Sequence, residues 1–319
     1  MALVYAGIDE AGYGPMIGPL CVARATMRVD GWSPGEPAPD LWDVLRDAVC
    51  AKKSESKSRI AIGDSKKLKL ANSSVRQHPL VHLERAVLAM LGAVGEMPRT
   101  DEELFEGLGV RLEDHPWYAG EPIELPLGLP VDMLRIDSSH LKGVMNKRGV
   151  ELLSIRVCAT GEDRFNEIIR ARRTKAAVTE SAVLGHLCAL RDGVGSADMI
   201  RVVCDRQGGR THHASMLGRV WEGLQTEEES ARASRYTMGD TLGITFTPKA
   251  DDAYLPVALA SMAAKLVREL AMMRVNRYWA GRMPELKPTA GYVQDARRWL
   301  DDLRPVMNED ERSCMVRLA

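Results

Sequence analysis

What the chain lacks sets the first bounds. It has no run of ~18 apolar residues, so nothing in it is expected to span a membrane. Its first residues carry no basic segment leading into a long apolar core, so no signal peptide is expected. The six cysteines (Cys21, Cys50, Cys158, Cys188, Cys204, Cys314) form no Cys-x-x-Cys pair, which argues against a structural zinc site. Several lie in apolar runs and read as small buried hydrophobes, and a reduced, cytoplasmic setting is expected. Excess charge of one sign is also missing: 43 Lys and Arg against 44 Asp and Glu leave a net charge of −1. Nothing therefore drives the whole molecule toward nucleic acid or an acidic membrane. A local basic rim around an acidic centre remains compatible with a nucleic-acid partner. Aromatic residues make up only 5%, so the core is expected to be aliphatic and Met-rich. No internal repeat is evident.

The 319 residues leave room for one large domain or two smaller ones, and 45% hydrophobic with 27% charged residues describe an ordinary globular chain. Strands are expected at 3–9 and 19–28, joined by a Gly-Pro turn, and again at 151–159, 199–204 and 243–248. Helices are expected at 41–50, 81–94, 162–171, 175–192, 212–225, 256–279 and 293–303. Pro256 suits the first turn of the long helix. Residues 97–150, punctuated by Pro and Gly, read as an irregular insertion. Strands alternating with helices after an initial hairpin predict an α/β fold, a mixed central sheet flanked by helices.

Asp9 and Glu10 follow a short apolar strand and precede Gly12, Gly14 and Pro15. Successive side chains on a strand point to opposite faces, so the pair is expected to converge only if the strand ends between or just after them, a break that Gly12, Gly14 and Pro15 supply. Asp205 ends the strand 199–204, and Asp251 follows the strand 243–248. Taken singly, each has a plain structural explanation: a solvated turn, a surface ion pair with Arg206, a helix cap. Their shared position at carboxyl ends of strands points to one pocket. Four carboxylates without His or Cys partners suit hard cations such as Mg²⁺ or Mn²⁺. Two such ions about 4 Å apart form a phosphodiester clamp.

These residues resemble the ribonuclease HII (type 2 ribonuclease H) family. The family's Gly-x-Asp-Glu-Ala-Gly-Arg-Gly-Pro-x-x-Gly-Pro is similar to Gly7-Ile8-Asp9-Glu10-Ala11-Gly12-Tyr13-Gly14-Pro15-Met16-Ile17-Gly18-Pro19, with Tyr13 in place of Arg. Its Asp-Ser-Lys-x-Leu resembles Asp64-Ser65-Lys66-Lys67-Leu68, and its Ala-Ser-x-x-Ala-Lys-x-x-Arg resembles Ala260 to Arg268. Gly291-Tyr292 is similar to its late Gly-Tyr turn. The resemblance implies an RNase H-like catalytic domain over 1–280, with a C-terminal helical extension, 281–319, packing on it. It implies Asp9, Glu10, Asp205 and Asp251 as catalytic and metal-holding residues for two ions, with Asp9 bridging. It also implies hydrolysis of RNA in RNA–DNA hybrids, or of ribonucleotides embedded in duplex DNA, giving 5′-phosphate and 3′-hydroxyl ends. Gly12, Tyr13, Gly14, Ser65, Lys66, Lys67 and Tyr292 are the implied nucleic-acid contacts, and a monomer is expected.

The chain departs from the family at three points. Tyr13 removes a charge from the Gly-x-Gly turn, though backbone readout by Gly12 and Gly14 is retained. The late turn continues as Val293-Gln294-Asp295-Ala296 rather than Thr-x-x-His. The family's C-terminal His-Arg-x-Ser-Phe is reduced to Glu311-Arg312-Ser313. Two other readings stay open: a nucleic-acid-binding protein of the same fold with little turnover, and a metal nuclease for another substrate such as branched DNA. Arg170, Arg172, Arg173 and Lys175 form a basic cluster, read as either a solvated helix junction or a backbone contact. Lys265 is placed as a partner of a site carboxylate or as a structural residue. No metal role is expected for His212 and His213.

Overall fold

The apolar runs pair into one seven-stranded mixed sheet in the computed structural model, which describes residues 2–195, 198–206 and 208–318. β1 (Ala2–Ala11) and β2 (Leu20–Asp30) form an antiparallel hairpin. After it come α1 (Leu41–Val44), β3 (Val49–Cys50), β4 (Ile60–Ala61), α2 (Ser65–Leu68), α3 (Val81–Val94), α4 (Asp101–Leu108) and α5 (Val131–Arg148). β5 (Val150–Thr160) leads into α6 (Glu162–Arg172) and α7 (Ala176–Gly193). β6 (Met199–Asp205) precedes the single turn α8 (Ala214–Leu217), then β7 (Gln225–Glu229), β8 (Ser234–Met238) and β9 (Leu242–Thr247). α9 (Leu255–Arg282), α10 (Val293–Asp302) and α11 (Glu309–Met315) follow. The strand order is β5-β2-β1-β6-β9-β8-β7; β1–β6 and β6–β9 are parallel and the other pairs antiparallel.

β1 is buried on both faces, as an unbroken apolar run at the centre of a sheet requires. Its side chains alternate. Leu3, Tyr5 and Ala11 join the cluster under α3 and α9, while Val4, Ala6 and Ile8 join the cluster under α7. At Gly7 the long helix α9 lies on the strand itself: a Cβ there would sit 2.1 Å from the Val257 nitrogen. Glycine at this position is what lets the start of α9 approach the end of β1. Pro256 occupies the first turn of α9, as its fixed φ and missing N–H favour. A third cluster packs Trp299, Leu300, Leu303 and Met315, from α10 and beyond, against Val275 and Trp279 of α9 and against Ile17. Among the described residues no helix is long and apolar enough to cross a membrane.

The sequence expectation fails in three places. The helix expected over Leu41–Cys50 stops at Val44, and Val49–Cys50 pairs instead with Ile60–Ala61. The helix expected over His212–Gln225 shrinks to α8; Val220 and Trp221 are buried from non-helical chain, and Gln225 opens the β7–β8 hairpin. The 97–150 segment is not irregular throughout, since it holds α4 and α5. Gly109, Pro130 and Gly149 mark helix ends, while Gly120, Pro122, Pro126 and Gly128 lie in the loop between the two helices. The Thr100 hydroxyl accepts the Glu103 N–H at 3.2 Å, and Gly109 (φ 71°) and Gly149 (φ 64°) stop the two helices. The segment is pinned to the core by Asp101, fully buried, which takes the Arg274 Nε of α9 at 2.6 Å. Buried Glu84 of α3 accepts the Gly128 N–H at 2.9 Å. Breaking either would strand a buried polar group, which costs far more than a surface pair.

Candidate active site

Three strand ends bring the acids together. In the parallel β1–β6 register Ile8 lies opposite Cys204, so the next step sets Asp9 beside Asp205. Asp205 in turn pairs with Thr247, the last residue of β9. Asp251 stands just beyond β9 in the short 3-10 turn Ala250–Asp252, and the Ala250 N–H donates to Asp205 Oδ1 at 2.8 Å, tying that turn to the end of β6.

β1 ends where expected, at Ala11 just after the pair, but the break does not bring Asp9 and Glu10 together: both are still paired within the strand, Asp9 opposite Ala23 and Glu10 opposite Val22. Alternation therefore turns Asp9 to the α9 side, where the Ser261 hydroxyl meets it, and Glu10 to the α7 side, near Thr179. The pair straddles β1. It still borders one crevice, because β1 outruns β6 beyond Ile8 and the charge of Asp205 acts on both acids.

The electrostatics are those of an uncompensated acidic pocket. Burial drives the Asp9 carboxyl well above the usual range, with the charge of Asp205 as the next cause; the Glu10 N–H, 2.7 Å from Oδ1, and Ser261 pull it back. Burial pushes Glu10 up to about 7, offset first by the Thr179 hydroxyl and increased by Asp205. Asp205 is raised by burial and held down by the Ala250 N–H and Lys66. Asp251 is raised by burial, then by Asp64 and Asp205. Glu10 Oε2 is buried without a hydrogen-bond partner. The charges acting most on Asp9, those of Asp205 and Asp251, are both negative. A hard, oxygen-seeking dication fits this donor set, since it would satisfy the orphaned oxygen and offset the repulsion.

No three of these acids hold carboxylate oxygens within 4.8 Å of one another, as unneutralised like charges would have it; among the described residues only Glu113, His115 and Asp163 do. In that Glu/His/Asp cluster Glu113 also serves as the missing cap of α6, accepting the Arg164 N–H at 2.9 Å and the Asp163 N–H at 3.2 Å. His115 stacks on Trp117 with 4.3 Å between ring centroids.

The rim is built from α2 and two turns. Asp64 caps α2, accepting the Lys66 N–H at 2.8 Å, and its charge reaches Asp251. Buried Ser65 lies 3.0 Å from Ser261, joining α2 to α9 beside Asp9. Lys66 is exposed, and its charge acts on Glu10, Asp205 and Asp251. Lys67 is instead held by Asp252 at 2.8 Å and Asp64 at 3.2 Å. The Gly12–Gly18 turn accepts a second turn along its edge: the Met16 N–H donates to the Gly291 carbonyl at 2.8 Å. Tyr292 thereby follows a residue tied to Met16 and Ile17 of that turn. At 49% exposed it does not plug the core, and its ring lies 5.7 Å from the buried Arg268 guanidinium.

Other candidates fall away from the acids. Lys265 pairs with Glu269 at 3.5 Å rather than with a site carboxylate. His213 is buried against Phe246 at 3.8 Å between centroids, and burial pushes it down to about 4. Arg170, Arg172 and Arg173 are exposed at the α6–α7 junction, where Arg173 (φ 60°) ends α6. Arg312 and Ser313 bond to Leu300 and Asp310 and so serve the packing of α11. Asp64 and Thr179 join the site although the reading of strand ends did not select them. Asp64 was visible as the first residue of the Asp-Ser-Lys turn, whereas nothing in the sequence marks Thr179.

No family model and no curated protein matches the chain. Solved structures with a similar course include the PCNA:RNase HII complex from Archaeoglobus fulgidus, at 17% identity and TM-score 0.46, covering 99% of this chain and 94% of that one. Ribonuclease H2 from Pyrococcus horikoshii OT3 matches at 17% identity and TM-score 0.46, covering 99% of this chain and 97% of that one. Bst-RNase HIII in complex with Mn²⁺ matches at 14% identity and TM-score 0.44, covering 99% of this chain and 66% of that one.

Proposed function

We propose that this protein is a metal-dependent endonuclease that hydrolyses the RNA strand of RNA–DNA hybrids, or ribonucleotides embedded in duplex DNA, leaving 5′-phosphate and 3′-hydroxyl ends. The observation that carries this reading is Asp9: a buried carboxylate set beside Asp205, with the charges of Asp205 and Asp251 acting on it and Glu10 next to it on the other face of the strand. The motif resemblance around Gly7–Pro19, Asp64–Leu68 and Ala260–Arg268 supplies the substrate class.

Asp9, Glu10, Asp205 and Asp251 would hold two Mg²⁺ or Mn²⁺ ions, which when bound supply an activated water and neutralise charge on the phosphate in flight. The chain's own residues do the rest. The Glu10 N–H fixes the Asp9 carboxylate, and the Ala250 N–H fixes that of Asp205. Lys66 offers a cation to a phosphate beside the acids, and the Gly12–Gly14 turn with Tyr292 borders the sugar.

A cleavage assay in Mg²⁺ and in Mn²⁺ on an RNA–DNA hybrid, a duplex with a single embedded ribonucleotide, and an all-DNA junction tests this. Cleavage is expected on the first two and lost in Asp9→Asn and Asp205→Asn, with folding intact by circular dichroism. Full activity in both variants would remove the mechanism. Cleavage confined to the junction would replace the substrate.

A further inference from the structure

Arg317 lies outside every motif that pointed to the site, yet it is 3% exposed and its guanidinium is the hub of the Gly12–Gly18 turn. Nη2 donates to the carbonyls of Gly12 at 2.8 Å, Tyr13 at 3.1 Å and Pro15 at 2.5 Å, and Nη1 to that of Gly18 at 3.2 Å. The Arg317 N–H donates to the Met16 carbonyl at 2.8 Å, and the guanidinium stacks over Phe165 at 4.2 Å. Asn166 of α6 fixes the flanking backbone, donating to Val316 at 2.9 Å and accepting from Leu318 at 2.7 Å. A second buried guanidinium, Arg268 of α9, holds Ile17 at 3.2 Å and Ala290 at 2.9 Å; a Cβ on Gly12 would meet it at 2.6 Å.

Two buried cations under one short turn, with buried Glu162, which accepts the Gly18 N–H at 2.8 Å, as a single countercharge, are costly unless the turn gains something from them. The geometry of the peptide unit indicates what is gained. In a trans peptide the C=O of one residue and the N–H of the next point in opposite directions. Gathering the Gly12 and Tyr13 carbonyls onto Arg317 aims the Tyr13 and Gly14 N–H groups the other way, outward, where Gly14 is exposed. Among the described residues neither N–H has an acceptor in the protein. The Met16 N–H, in contrast, is taken by Gly291. Two adjacent free N–H donors over a buried positive charge make a seat for a ribose hydroxyl or a phosphate oxygen.

We infer that Arg317 is a positioning residue for substrate recognition, resting on the hydrolysis proposed above: it orients the Tyr13 and Gly14 N–H groups toward the nucleic acid and returns to this turn the positive charge that Tyr13 does not provide.

The test compares wild type, Arg317→Ala and Arg317→Lys on the single-ribonucleotide duplex and on the continuous hybrid, with amide hydrogen exchange over residues 12–18. Arg317→Ala is expected to raise KM on the single-ribonucleotide duplex about tenfold or more while kcat on the continuous hybrid stays near wild type. Exchange is expected to rise in the turn and not in β1. Arg317→Lys, which keeps the charge but cannot fork to several carbonyls, is expected to lose less melting temperature than Arg317→Ala and still show the raised KM. It also carries the test should the Ala variant fail to fold. Unchanged KM with unchanged turn exchange overturns the inference, as does full restoration of KM by Lys, or an equal loss of kcat on both substrates. A wild type inert on every substrate overturns the proposed function along with it; an active wild type with indifferent Arg317 variants overturns this inference alone.

Discussion

Two lysines that follow one another in α2 meet different charges. The Lys67 ammonium is held by Asp252 and Asp64 at 2.8 and 3.2 Å on an exposed surface, the kind of pair that contributes little. The charge of Lys66 faces Glu10, Asp205 and Asp251 instead, which would crowd it toward any phosphate lying on the acids. Lys66→Ala is therefore expected to weaken binding of a hybrid duplex and to lower the slope of log affinity against log salt by about 0.9, one phosphate contact. Lys67→Ala is expected to leave both near wild type. Fluorescence anisotropy across a salt series in EDTA, where cleavage cannot intervene, reads the two slopes. Equal slopes for the two variants would mean that the observed pairing of Lys67 does not decide which lysine meets the substrate.

Among the elements, those with strong periodicity or long apolar runs follow the sequence closely: β1, β2, β5, β6, β9, α3, α6, α7, α9 and α10. Where the chain buries Val220 and Trp221 without a helix, apolar spacing alone could not separate a helix from a loop folded onto the sheet. In residues 97–150 Gly109, Pro130 and Gly149 mark helix ends, and Gly120, Pro122, Pro126 and Gly128 mark the loop between α4 and α5. The acids at the strand ends were legible because a strand's end is legible. Their facing was not, because the run of β1 through Ala11 is set by pairing with Cys21 of β2. Arg317 was invisible because only tertiary contact brings it to Gly12. At this scale α7 carries a pH signature. His186 Nε2 donates to the Val22 carbonyl of β2 at 2.9 Å, and burial, with Arg24 nearby, pushes the imidazole down to about 4 from 6.5. Below 6.5 the unfolded chain binds a proton that the folded chain refuses, so stability is full above that pH and falls as pH drops toward 4. The slope for one such group is at most ~1.4 kcal/mol per pH unit. His186→Gln, whose amide keeps a donor for Val22, is expected to lose less stability than wild type between pH 7 and pH 5 in urea melts. Parallel losses would assign the acid sensitivity elsewhere.

On the scale of the whole molecule, the four acids come from β1, from β6 and from the turn after β9, so they meet only in the folded chain. Ions held there, as proposed, would bind the native state and not the unfolded one. Folding would then carry a cost without metal, from burying Asp9 against Asp205, and a gain with metal. Occupancy at 100 times the dissociation constant is worth ~2.7 kcal/mol. For a chain of this size that is a rise of about 4 °C in melting temperature. Asp9→Asn and Asp205→Asn should reverse the order in two respects. In EDTA each is expected to melt above wild type, because a buried like charge is gone. In millimolar Mn²⁺ each is expected to gain less than wild type, because a ligand is gone. Calorimetry of the three proteins with chelator and with Mn²⁺ reads both effects without any substrate. A wild type indifferent to Mn²⁺ would remove the metal site, and variants that gain as much from it as wild type would place the ion elsewhere, with the Glu113–His115–Asp163 group the first to substitute.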